Sequence, residues 1–184
     1  MVLLESFNVP LGTKAPDFML KGIDDKEYSK IDFADKQVLV IVFMCNHCPY
    51  VQAVWERLNA LQDRFREKGI QFIGINPNLN PDYPEEDLEH MKEYAEDYDM
   101  NFPYLLDESQ NVARDFEAKC TPDIFVYNKS RELIYHGRID DNWQDEAAVE
   151  SHDLADFLEA HLNGRDFGRD QVPSMGCSIK WREA

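Results

Sequence analysis

Residues 37–49 read QVLVIVFMCNHCP: an unbroken apolar run that ends on two cysteines three positions apart, with a proline behind them. A β-branched run of that length is expected of a central strand buried on both faces. Val51, Val54, Trp55, Leu58, Leu61 and Phe65 then recur at spacings of three and four, with Glu56, Arg57, Asp63 and Arg64 between them. That pattern predicts an amphipathic helix, and Gly69 ends it. Residues 70–75 form a second apolar strand. A strand–helix–strand unit implies a right-handed crossover and parallel strands.

Outward from this unit the signals thin. Residues 76–82 are dense in turn formers, and Pro84 opens a helix with Leu88, Met91, Tyr94 and Tyr98 along one face. Residues 102–106 read as a short strand. Ser109 caps a short helix carrying Val112, Ala113 and Phe116. Residues 124–127 and 133–139 are two strands of a hairpin joined by residues 128–131. A last helix starts near Ser151, buries Leu154, Phe157, Leu158 and Leu162, and closes on Asn163 and Gly164. The expected class is α/β, with a mixed central sheet and helices on both faces. Residues 1–164 form the domain, including an N-terminal extension. Residues 165–184 form a C-terminal tail that packs on it through Phe167, Ile179 and Trp181.

Thirty-six acidic residues against 19 basic ones leave a net charge of -17 over 184 residues. A field of that sign repels phosphate backbones and anionic lipid, which excludes nucleic acid and membrane surfaces as partners. Hydrophobic residues at 43% supply a full core. The N-terminal apolar run is three residues long with no basic residue before it, and no run approaches the ~20 residues of a spanning helix. The chain as given is expected in the cytoplasm, where structural disulfides are rare.

Two of the four cysteines, Cys45 and Cys48, therefore stand as a redox or metal pair, and Cys120 and Cys177 remain outside it. Cys45 falls at or just before the first turn of the helix, so N–H groups and partial positive charge are expected to lower its pKa. His47, when protonated, adds to that effect, and Pro49 suits an early helical position. A structural zinc site needs four ligands, and the chain has neither a second CxxC nor a His pair, so no metal and no cofactor is expected. Thr121-Pro122 precedes a strand; from the residues alone it is a turn proline of either isomer.

These pieces together resemble the thioredoxin-like redoxin family, which takes in the TlpA-type thiol–disulfide oxidoreductases and the alkyl hydroperoxide reductase/thiol-specific antioxidant (AhpC/TSA) proteins. The matching residues are Gly12-Thr13-Lys14-Ala15-Pro16-Asp17-Phe18, the strand running into Cys45-Asn46-His47-Cys48-Pro49, Thr121-Pro122-Asp123, and Tyr135-His136-Gly137-Arg138. The resemblance implies a thioredoxin-like fold with Pro122 cis and beside the cysteines. It makes Cys45 the attacking thiol and Cys48 the resolving one, and lets Thr121 offer backbone hydrogen bonds to an extended substrate. Met44 stands where the family usually has Trp, and Asn-His where it has Gly-Pro or Pro-His.

The function expected from this resemblance is a thiol–disulfide oxidoreductase acting on protein or small-molecule disulfides, with a thioredoxin-type electron donor. One alternative is a thioredoxin-dependent peroxidase. Family peroxidases carry Thr three residues before the peroxidatic Cys, and that place is Cys45 if Cys48 is peroxidatic. An alternative of another class is a copper-binding metallochaperone using Cys45, Cys48 and either His47 or His136. His90, His152 and His161 lie on predicted helix faces. Cys120 reads as a small buried hydrophobe or an accessory thiol. Pro173 and Gly176 can turn the tail so that Cys177 approaches Cys120 or the CxxC pair.

Overall fold

The computed structural model describes residues 3–6 and 9–182; the outermost ends of both the expected domain and its tail fall outside the described residues. The strands are β1 (Leu3–Glu5), β2 (Met19–Gly22), β3 (Glu27–Ser29), β4 (Val38–Phe43), β5 (Ile70–Asn76), β6 (Tyr104–Leu106), β7 (Cys120–Thr121), β8 (Asp123–Tyr127), β9 (Leu133–His136) and β10 (Met175–Ser178). The helices are α1 (Pro49–Gln52), α2 (Trp55–Phe65), α3 (Leu88–Asp97), α4 (Asn111–Asp115) and α5 (Asp153–Leu162).

Seven strands make one mixed sheet in the order β3-β2-β6-β5-β4-β8-β9. β4, β5 and β6 run parallel, and β8 and β9 close one side antiparallel. Every residue of β4 is fully buried because both sheet faces are covered. Alternation then splits the strand: Val38, Val40 and Val42 enter one core with Trp55, Leu58, Leu154 and Leu158, while Leu39, Ile41 and Phe43 enter the other with Val112 and Phe116. The fold is thioredoxin-like, with helices on both faces as expected.

The helix expected from Val51 to Phe65 is broken. Val54, at φ -112° and ψ 0°, separates α1 from α2, and Gly69 ends the run at φ +78°. Pro84 begins a 3-10 turn over Pro84–Glu86 rather than α3, which instead starts after Asp87, whose side chain accepts the His90 N–H. Ser109 Oγ accepts the Asn111 N–H at 3.1 Å as α4 begins. The β2–β3 hairpin and β10 lie outside the elements the sequence predicts. β10 is held on both sides, by β1 and by β7, in a separate three-stranded sheet.

Candidate active site

β4 delivers Met44 and then the two cysteines to the edge of the core. The first helical residue is Pro49, and Cys48 is its N-cap. This corrects the expectation for Cys45, which lies before the helix and outside the reach of its N-terminal N–H groups. Cys45 and Cys48 are both fully buried, and all four cysteines are thiols.

The electrostatic consequence is reversed from that expected. Burial, a hydrogen bond to Cys48 and the nearby Glu86 carboxylate push the Cys45 thiol well up. Cys48 is pulled far down, by side-chain hydrogen bonds from Cys177 and Cys45 and by the backbone N–H groups of Val51 and Cys177, against the cost of burial. The Val51 N–H bonds the Cys48 carbonyl at 3.0 Å, so the Cys48 side chain does not itself cap the helix. Cys48 is the middle sulfur of three: its neighbouring sulfurs favour the thiolate, while the Thr121 carbonyl at 3.1 Å accepts from the thiol.

His47 is tied to Glu86 rather than to either sulfur. Its Nδ1 lies 2.5 Å from Glu86 Oε1, and its ring stacks on Tyr83 at 5.0 Å between centroids. Glu86 was missed in the sequence, yet it organises the loop between the cysteines. Its fully buried carboxylate accepts the Asn46 N–H at 2.9 Å, the His47 N–H at 2.9 Å and the Asn76 side-chain amide at 2.8 Å. Asn46 is pinned further by Tyr104, whose hydroxyl donates to Asn46 Oδ1 at 2.9 Å, and by its own amide donating to the Glu85 carbonyl. A carboxylate 39 residues downstream therefore fixes residues 46 and 47.

Ligand atoms of Cys45, His47 and Glu86 lie within 4.8 Å of one another, the donor set closest to a metal site among the described residues. Glu86 is committed to two backbone N–H groups, Asn76 and His47, so a cation there displaces an existing network. His136, the other candidate ligand, bonds through Nε2 to buried Asp123 at 2.8 Å and stacks on Phe125.

The Thr121–Pro122 peptide is cis. Thr121 Oγ1 lies 3.2 Å from Cys45 Sγ, and its carbonyl oxygen lies 3.1 Å from Cys48 Sγ, where a Cys48 S–H can donate to it. Cys177 Sγ lies 2.8 Å from Cys48 Sγ. The register explains why Cys177 reaches the pair and Cys120 does not. Cys177 is opposite Thr121 and Ser178 is opposite Cys120, so Cys177 and Thr121 share one face of the ladder and Cys120 points to the other. Cys120 Sγ contacts the carbonyls of Pro122 and Ser174 instead, and burial raises its pKa. Beside Pro122 a cavity of about 250 Å³ opens between Tyr50, Trp143, Arg138 and the tail residues Val172, Pro173 and Met175.

The AhpC/TSA family model matches residues 11–136. Thiol-disulfide oxidoreductase ResA of Bacillus thuringiensis subsp. konkukian is 24% identical over 124 residues, 67% of each chain. An uncharacterized conserved protein from Geobacillus kaustophilus shares 38% identity and superposes with a TM-score of 0.94 over 100% of this chain and 98% of its own. The thioredoxin domain of thiol-disulfide oxidoreductase BVU-2223 from Bacteroides vulgatus shares the fold, with a TM-score of 0.65 at 17% identity over 85% of this chain and all of its own. No helix among the described residues is long and apolar enough to cross a membrane.

Proposed function

The chain belongs to the AhpC/TSA family and is a thioredoxin-like oxidoreductase; on that premise we propose that it exchanges thiols and disulfides through Cys45 and Cys48, reducing protein or small-molecule disulfides. The observation that carries this reading is the placement of Cys48. Cys48 sits at the N-cap position of α1 with Cys177 Sγ 2.8 Å away, and its surroundings pull its pKa far down, toward the thiolate that disulfide exchange requires. The family resemblance names Cys45 as the attacking thiol, whereas the raised pKa of Cys45 and the lowered pKa of Cys48 favour Cys48.

In the proposed reaction the Cys48 thiolate attacks one sulfur of a substrate disulfide, forms a mixed disulfide and expels one thiolate. Cys45 then attacks Cys48 Sγ, expels the second substrate thiolate and closes Cys45–Cys48. Its proton passes to a departing thiolate. Two electrons and the Cys45 proton leave the protein per disulfide reduced, and the second product thiolate takes its proton from water. A thioredoxin-type dithiol donor restores both thiols. Cytoplasm, where such donors keep cysteines reduced, is the compartment that suits this reaction.

The same observation favours one second reading. Cys48 is the position that would be peroxidatic in the family, and a thiolate there can also attack a hydroperoxide, which would give the protein an antioxidant role. Turnover of insulin disulfide and of hydrogen peroxide, each coupled to thioredoxin and its reductase, separates the two. Insulin turnover supports the first reading. Peroxide turnover without insulin turnover supports the second. Turnover of neither contradicts both.

A further inference from the structure

β10 lies where an extended substrate is expected to lie. It pairs antiparallel with β7, the edge that carries Thr121, and it brings a sulfur of its own to Cys48. The approach is too close for anything but glycine at the preceding position: a Cβ on Gly176 would stand 2.0 Å from the Thr121 carbonyl oxygen. The segment is also anchored from both ends. Ser6 N–H donates to the Ser174 carbonyl at 2.9 Å and Ser174 Oγ donates to the Gly137 carbonyl at 2.7 Å. Beyond β10, Ile179 is buried, Lys180 N–H donates to Asn78 Oδ1 at 2.9 Å, and the Arg114 guanidinium covers the Trp181 ring. A tail held this firmly keeps its thiol in the site rather than visiting it.

The separation of 2.8 Å between Cys48 Sγ and Cys177 Sγ is shorter than an ordinary contact of two thiols and longer than the ~2.05 Å of a disulfide bond. Cys48 therefore has a thiol on either side, Cys45 from its own loop and Cys177 from the tail. Resting on the exchange chemistry proposed above, we propose that Cys177 is the third redox thiol of this site, and that a Cys48–Cys177 disulfide latches β10 over the Thr121 edge. The step is an internal exchange that needs no further oxidant. The Cys177 thiolate attacks Cys48 Sγ of the Cys45–Cys48 disulfide; the Cys48–Cys177 bond forms, the Cys45–Cys48 bond breaks, and Cys45 leaves as the thiolate. Cys45 takes up the proton that Cys177 gives up, so the oxidation state of the protein is unchanged. An intramolecular thiol in contact with its target outcompetes free thiols at millimolar concentration. With the bond closed, an extended substrate can neither pair with Thr121 nor reach Cys48. A dithiol donor that reduces the latch leaves β10 held on that edge by non-covalent contacts alone, from which it can open.

Tryptic peptides distinguish the linkages. Cys45 and Cys48 fall in residues 37–57, Cys120 in residues 120–129 and Cys177 in residues 170–180. The full-length protein is oxidised with glutathione disulfide, its remaining thiols are blocked and the linked peptides are mapped, alongside the Cys45→Ala and Cys177→Ala variants and the insulin assay. The expected result is a cross-link between 37–57 and 170–180 in the wild type, retained in Cys45→Ala, which assigns it to Cys48. Cys177→Ala is expected to lose the cross-link, close a bond within 37–57 and reduce insulin severalfold faster. A wild-type bond confined to 37–57, with insulin turnover intact and unchanged in Cys177→Ala, overturns the latch and leaves the proposed function standing. The cross-link without insulin or peroxide turnover keeps the third thiol and overturns the proposed function. A cross-link between 120–129 and 170–180 overturns the register on which the latch depends.

Discussion

Thr121 and Cys177 stand directly opposite each other on an antiparallel ladder, and both face the CxxC sulfurs. The pairing places a backbone carbonyl, a hydroxyl and a third thiol around Cys45 and Cys48. The chemistry of the site is therefore set by two segments more than 70 residues downstream as much as by the motif itself.

The first prediction concerns which thiol attacks. Cys48→Ser is expected to abolish disulfide reduction, because it removes the sulfur at the helix N-cap. Cys45→Ser is expected to keep the first attack while losing multiple turnover. Stopped-flow reaction with a chromogenic disulfide, followed by intact mass, checks both. Full burst amplitude in Cys48→Ser would return the attacking role to Cys45.

Glu86→Gln tests the carboxylate that holds the loop. A carboxylate accepts on both oxygens, whereas the amide turns an N–H₂ toward donors that already point inward, the N–H groups of Asn46 and His47 or the Asn76 amide. At least one buried donor is left unpaired, at a cost of about 1–3 kcal/mol. Urea denaturation is expected to show that loss with an unchanged m value, together with a slower reaction at Cys48. Wild-type stability would show that the Glu86 network is dispensable.

Gly176→Ala tests the docking of β10 without touching a sulfur. The added methyl meets the Thr121 carbonyl, so the strand is expected to lift and both cysteines to lose their cover. Alkylation of Cys48 by iodoacetamide is expected to accelerate by roughly tenfold or more, and hydrogen exchange along residues 175–178 to rise. Wild-type protection in this variant would mean that the tail does not guard the site.

Cys120 gives a pH signature. Burial raises its pKa in the folded protein, while the unfolded thiol titrates near ~8.5. Its contribution to stability is complete below that pH and is lost as pH rises toward the folded value, because only the unfolded chain releases the proton. Cys120→Ala is expected to flatten the fall in stability above pH ~8.5 by up to about 1.4 kcal/mol per pH unit. Parallel wild-type and Cys120→Ala curves between neutral and alkaline pH would show that this thiol titrates normally.

Much of the fold could be read because its signals are local. β4 is an apolar run with no interruption, α2 repeats at helical spacing, and the Leu133–His136 strand follows a turn of suitable residues. The site was legible only as far as the motif. Asn46-His47 carries no mark of its tie to Glu86, because that tie spans 39 residues and depends on a turn that places one carboxylate under two N–H groups. The lowered pKa expected at Cys45 falls on Cys48 instead, because burial, Cys48 and Glu86 raise Cys45 while Cys177, 129 residues away in sequence, lowers Cys48. β10 is four residues, Met175-Gly176-Cys177-Ser178, too short and too mixed to show a strand period. Only the pairing partners on both sides make it a strand.

An equilibrium redox titration of the full chain against a dithiothreitol couple, read by counting alkylated thiols, tests the central claim most directly. The account predicts one two-electron transition that converts two thiols per chain, unchanged in shape in Cys120→Ala and absent in Cys48→Ser. A transition that survives Cys48→Ser, or no loss of thiols across the range where protein disulfides form, would contradict it.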